Sequence, residues 1–314
     1  MMQLLYMLYT AAAAAALLVV AAGAVNHRLH GRRRHLERRL CSRSIRQIVA
    51  AQLSDPRTAP QLPLQRAVGR RQLLCGILSE LSAATCGLDP APVRRLADDY
   101  GLERWLLRRI RLSRGCRRAA YLKWLADLPV GEAACAAAGR YLHDRCREVR
   151  FCALLVRIAA AGEAVLDDIA RFDPPLTAGE VAEVLHLLGR GRLPIAYRPL
   201  LESENGNLRR LGLAIVGRFG VEDAEAILLR IVAAGAEPLA SEALHVLIGM
   251  HRPMRRREVA RCVQRMTAGE RHALLRRLAR EEYALRSVRH LIDPGEEAYY
   301  ESLVQSYKRQ LVWQ

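Results

Sequence analysis

The sequence predicts an all-α protein: an α-solenoid of paired helices behind one N-terminal transmembrane helix. Three observations predict it. Leu4 to Val25 runs for 22 residues without a charge. Aromatics are 5 % of the chain, with only three Phe, and the clusters of Val, Ile, Thr and aromatic residues that favour strands are missing, whereas Ala, Leu and Arg are good helix formers. From Glu148 onward, apolar helical strings recur at start spacings of 32, 27, 33 and 30 residues, the period of a two-helix repeat.

The first element is the span. At about 1.5 Å per residue it makes a helix of roughly 33 Å, enough for a hydrocarbon layer of about 30 Å. Arg28, Arg32, Arg33, Arg34, Arg38 and Arg39 follow it against one acid, Glu37, and no charged side chain precedes it. The positive-inside rule then places the amino terminus outside and the remainder in the cytoplasm, as a single-pass protein of the inner (cytoplasmic) membrane. A cleaved leader, for which Ala22-Gly23-Ala24 offers a site, needs its positive charge ahead of the apolar run; here all of it follows. Tyr6 and Tyr9 suit the outer interface.

Residues 1–26 are therefore the anchor, 27–63 a basic juxtamembrane segment with a short helix at 41–54 and a Pro-bearing break, 64–294 the repeats, and 295–314 a capping helix. Charge is uneven along this plan. Residues 26–160 carry 27 Arg or Lys against 11 acids, residues 161–250 carry 8 against 13, and residues 251–314 carry 14 against 8. The basic third belongs beside anionic head groups, at about 1 kcal/mol per basic residue near the surface. Of the 49 basic residues all but Lys123 and Lys308 are Arg, a bias that genome composition alone can produce. The eight cysteines form no C-x-x-C pair and read as reduced, buried thiols.

Helices are predicted at 64–86, 91–100, 101–112, 115–128, 131–142 and 146–160, joined by tight turns. The repeating strings begin at Glu148, Glu180, Asn207, Ala240 and Glu270. Shorter helices at 163–172, 196–203, 222–233, 256–266 and 283–293 lie between them. Thr177 with Glu180, and Thr267 with Glu270, have the spacing of capping boxes.

In the repeating helices an Arg-bearing opening is followed by small and aliphatic residues at helical spacing: Val149-Arg150 with Cys152, Ala153 and Val156, then Leu208-Arg209 with Leu211, Gly212 and Ile215. This resembles HEAT repeats of the short bacterial type, clearly over 115–292 and by period alone over 64–114. The usual Pro of the first helix and Asp of the turn are mostly absent. The resemblance implies a binding scaffold with a protein partner.

No phosphate loop, dinucleotide loop or G-x-S-x-G elbow occurs, so no catalytic residue, cofactor or small-molecule substrate is expected. His143, Asp144, Cys146 and Cys152 match no zinc spacing and read as a helix junction, with no metal expected. His186 and His245 read as packing residues. Asp98-Asp99 and Asp167-Asp168 read as solvated faces, because neighbours on a helix point about 100° apart.

The stronger signals are surfaces. Arg104, Arg108 and Arg111 share one helical stripe, and Arg114, Arg117 and Arg118 open the next helix. Together they form either an anion-binding ridge, for phospholipid, nucleic acid or an acidic partner, or a solvated basic face. Arg255 to Arg257 with Arg271, Arg276, Arg277 and Arg280 are weighed the same way. At the carboxyl end Tyr300, Val304, Tyr307 and Leu311 form one stripe, which either caps the repeats or, with Trp313 as anchor, docks a partner.

The expected function is thus a membrane-tethered scaffold, with a surface-polysaccharide glycosyltransferase among the membrane enzymes it could hold. A nucleic-acid-binding protein like the HEAT-like DNA glycosylases is the second reading, set back by the anchor and the acidic middle. An organiser of anionic lipid is the third.

Overall fold

The computed structural model describes residues 70–311 apart from 85–89, 130, 161–164, 190–195 and 236–237, together with residues 46, 47 and 50. The predicted span, its arginine collar and Trp313 lie outside the described residues, and within them no helix is long and apolar enough to cross a membrane. All regular structure among the described residues is helical. The chain divides into two compact units, Met1–Arg140 and Tyr141–Gln314.

The first unit holds α1 (Arg70–Ala84), α2 (Pro90–Asp99), α3 (Leu102–Leu112), α4 (Gly115–Asp127) and α5 (Glu132–Gly139). Leu74, Cys75, Ile77, Leu78 and Leu81 of α1 are buried, at the spacing of one helical face. They pack toward α3 and α4, which supply Leu102, Leu106 and Ile110, and Leu122 and Leu125. Gly101, at φ 58°, makes the left-handed step between α2 and α3, a conformation open to a residue without Cβ. Asp127 is buried at the end of α4, and Ser79 donates to its Oδ2 at 2.5 Å across the α1–α4 contact.

The second unit begins with α6 (Arg147–Ala159), α7 (Val165–Ala170), α8 (Ala178–Leu188), α9 (Tyr197–Glu202) and α10 (Gly206–Phe219). It continues with α11 (Glu225–Ala234), α12 (Leu239–Gly249), α13 (Arg257–Arg265), α14 (Ala268–Arg280), α15 (Leu285–Val288) and α16 (Glu297–Leu311). Here α6 packs on α8, α8 on α10, α10 on α12, α12 on α14 and α14 on α16, and the shorter helices fill in beside them. This is compatible with a helical solenoid.

The turns repeat more strictly than the sequence. Gly220, His251 and Glu282 all have φ near +60° and stand 31 residues apart. Each follows α10, α12 or α14, and the next residue donates its amide five residues back: Val221 to Val216, Arg252 to Leu247 and Tyr283 to Leu278. This is the left-handed cap that satisfies the last carbonyls of a helix. At the other end of the helices both predicted capping boxes are present, at Thr177 with Glu180 and at Thr267 with Glu270.

Two segments differ from expectation. The helix expected at 131–142 stops at Gly139, a poor helix residue, and the one expected at 283–293 is a single turn, Leu285–Val288, followed by a 3-10 turn. Tyr283 is occupied in capping α14, and Asp293, ahead of Pro294, is extended, as the residue before a proline prefers.

Candidate functional site

α3 and α4 form a helical hairpin. The amide of Ser113 closes α3 by donating to the Arg109 carbonyl at 3.0 Å, Arg114 is extended, and Gly115 begins α4 at φ 53°. With Leu102, Leu106 and Ile110 turned inward, Arg104, Arg108 and Arg111 fall on the outer face of α3 and are exposed. Arg114 and Arg117 are exposed at the start of α4, whereas Arg118 is half-buried and its Nε donates to the Ile110 carbonyl at 3.3 Å. Five of the six residues of the expected ridge are therefore on the surface, and Arg118 ties the hairpin together.

Other residues join them that the sequence did not single out. Arg109 lies over the Trp105 ring, 5.6 Å from its centroid, and Trp105, Tyr121 and Trp124 meet edge to face at 5.9 and 5.7 Å between centroids. Leu112 is 73 % exposed at the end of α3. It falls off the 102, 106, 110 stripe, which is the one signal that could have marked it.

Arginines of the second unit are used differently. Arg147 pairs with Glu180 at 2.7 Å, Arg157 with Asp168 at 2.6 Å, Arg210 with Glu242 at 3.0 Å and Arg252 with Glu222 at 3.0 Å. Asp168 is thus not the solvated residue expected of it; it is 11 % exposed at its side chain and ion-paired. In the second basic group Arg271 pairs with Asp293, Arg277 with Glu281 and Arg256 with Glu225. Arg255 donates to the Arg286 carbonyl, while Arg257, Arg276 and Arg280 are exposed. Among the described residues no ion pair holds Arg104, Arg108, Arg109, Arg111, Arg114 or Arg117.

The junction at His143 is local structure. Asp144 Oδ1 accepts from the Cys146 amide at 3.0 Å, and Cys146 Sγ donates to Glu148 at 2.8 Å. That bond holds the thiol above its ordinary value. No group of residues able to hold a metal is found among the described residues. Burial, with Arg280 nearby, lowers the His245 pKa. Cys75 is buried and pushed up to about 12, but Cys116 is exposed, contrary to the expectation of buried thiols.

Of the C-terminal stripe, Tyr300 is fully buried and donates to the Tyr283 carbonyl at 2.7 Å. Val304 and Tyr307 are partly buried against the same core. Tyr300 is therefore a core residue and offers no docking surface, because it, Val304 and Tyr307 pack on the core.

A buried Asn207 was also invisible in the sequence. Its side chain accepts from the Leu176 amide at 2.8 Å and donates to the carbonyls of Ile169 and Phe172 at 3.1 and 2.8 Å. It fastens the end of α7 and the 171–176 loop to α10. No family model, curated protein or solved structure matches the chain.

Proposed function

We propose that this chain is a membrane-tethered helical-repeat scaffold of HEAT-like type that holds a protein partner beside the cytoplasmic face of the inner membrane. The observation that supports it best is the recurrence of one helix ending at Gly220, His251 and Glu282, 31 residues apart. Stacked units of equal length expose a long surface in place of one cleft, which is the geometry of partner binding. The ion pairs Arg147–Glu180 and Arg210–Glu242 span 33 and 32 residues and so join α6 to α8 and α10 to α12. Support for the tether comes from Leu4–Val25 and the collar of Arg28, Arg32, Arg33, Arg34, Arg38 and Arg39. The partner would be a protein such as the cytoplasmic part of a membrane enzyme.

The test has two parts on the full-length chain with a C-terminal tag. Alkaline carbonate should leave it in the membrane fraction, and protease should reach the tag only when the cytoplasmic side is opened. A photo-crosslinking amino acid at exposed Glu204 or Asp223 should then trap one discrete protein adduct in cells. Extraction by carbonate overturns the tether, and no adduct from a panel of exposed repeat positions overturns the scaffold.

A further inference from the structure

Leu112 is more exposed than Phe219, Leu166 and Tyr299, the other exposed large apolar residues among the described ones, and it stands at the turn of the α3–α4 hairpin. Arg108, Arg109 and Arg111 precede it and Arg114 and Arg117 follow, all exposed. An apolar side chain ringed by guanidiniums at the tip of a packed hairpin is poorly matched to water and equally poorly matched to a protein core. It suits the boundary of a bilayer, where an apolar residue can leave water while the charged ends of its neighbours stay among phosphates.

We propose that this tip is an interfacial membrane contact. Leu112 enters the boundary between head groups and acyl chains of an anionic bilayer, while Arg104, Arg108, Arg111, Arg114 and Arg117 bind the head-group phosphates. It adds a second membrane contact to the tethered scaffold, and rests on that reading for the nearness of a membrane.

Two observations favour this occupant. The first is availability. Arg147, Arg157, Arg210 and Arg252 are committed to carboxylates within the fold, whereas no such pair holds Arg104, Arg108, Arg111, Arg114 or Arg117 among the described residues. Their charge is directed outward, and it is of the sign that anionic lipid attracts.

The second is the apolar tip. A duplex would accept the arginines but would leave Leu112 in water. Single strands are gripped by open aromatic faces, and here Arg109 covers the Trp105 ring and Tyr121 meets it edge-on.

The test uses the full chain in lipid nanodiscs, with a solvatochromic amino acid replacing Leu112. One set of discs is phosphatidylcholine alone; the other is phosphatidylcholine and phosphatidylglycerol in equal parts. The expected result is a blue shift, with quenching by spin-labelled acyl chains, in the anionic discs only. The combined variant Arg108→Glu, Arg111→Glu and Arg114→Glu should lose both signals, and the matching Lys variant should keep them. All three sites are exposed, and unchanged helical circular dichroism checks that the variants fold.

Equal emission in the two discs, or quenching that survives the Glu variant, overturns the proposal. So does a larger shift when duplex DNA is added in neutral discs, which assigns the arginines to nucleic acid. Retention of the chain by neutral discs reads the span alone, so failure of the tether and failure of the tip are separate results.

Discussion

The guanidinium of Arg147 grips the carboxylate of Glu180 with two bonds, Nε to Oε1 at 3.0 Å and Nη2 to Oε2 at 2.7 Å. The same carboxylate accepts from the Thr177 amide at 2.7 Å and hydroxyl at 3.0 Å. One side chain thus starts α8 and ties it to α6.

Replacing Glu180 with Gln should keep part of the capping box but lose the charge-assisted pair, at about 1 kcal/mol for a partly exposed bridge. Burial acts to raise the Glu180 carboxyl, but the bonds from Arg147 and Thr177 outweigh it and hold the pKa below its ordinary 4.5. A depressed carboxyl stabilises the fold above its unfolded value, and that contribution is lost as pH falls through the lower, folded one. Urea denaturation should therefore separate the two proteins at neutral pH and bring them together in acid. A gap that persists in acid excludes this account.

Asn207→Ala strips the partners from a buried amide and two carbonyls. Each unsatisfied group costs roughly 1–3 kcal/mol, and a total loss of about 3 kcal/mol is expected. Hydrogen exchange should show the Leu176 amide losing protection ahead of the core of α10. Uniform loss along the unit would mean that Asn207 does not fasten this loop in particular.

Tyr283 and Tyr300 are both pushed up to about 12, chiefly by burial. A phenol whose folded value lies above the unfolded one stabilises fully below the unfolded value, near 10, and loses that contribution as pH rises through the folded one. The protein should weaken between about pH 10 and 12, with tyrosinate absorbance for these two appearing only on unfolding. Tyr300→Phe removes one hydrogen bond, at about 1 kcal/mol, and should reduce the alkaline loss. An unchanged alkaline midpoint would place the titration elsewhere.

Glu282→Gly should stabilise. Glu282 is exposed and sits at φ 59°, a conformation that costs a residue with Cβ about 1 kcal/mol. Glycine returns part of that gain as unfolded-state entropy, leaving a few tenths of a kcal/mol and a small rise in thermal midpoint. A fall would show that the Glu282 side chain holds something the geometry does not record.

Much of the helical layout was legible because periodicity and caps are local. The T-x-x-E spacing identified both capping boxes. Gly220 is of a type that suits a left-handed helix end, but His251 and Glu282 adopt the same conformation with nothing in their residue type to announce it, so the 31-residue register emerges only in three dimensions. Asp127 and Asn207 look like ordinary surface residues in one dimension, since their burial depends on partners 48 and 31 positions away. The basic ridge was read from its stripe; its apolar tip was not, because exposure of one leucine depends on where the neighbouring helix ends.

The pairs Arg147–Glu180 and Arg210–Glu242 lie between successive helices, while the apolar contacts lie beneath them. Salt screens partly exposed charges and leaves apolar burial in place. Raising the ionic strength should therefore loosen these helix-to-helix ties of the second unit before it loosens the core, so that the helices gain freedom to shift while the apolar packing beneath them holds.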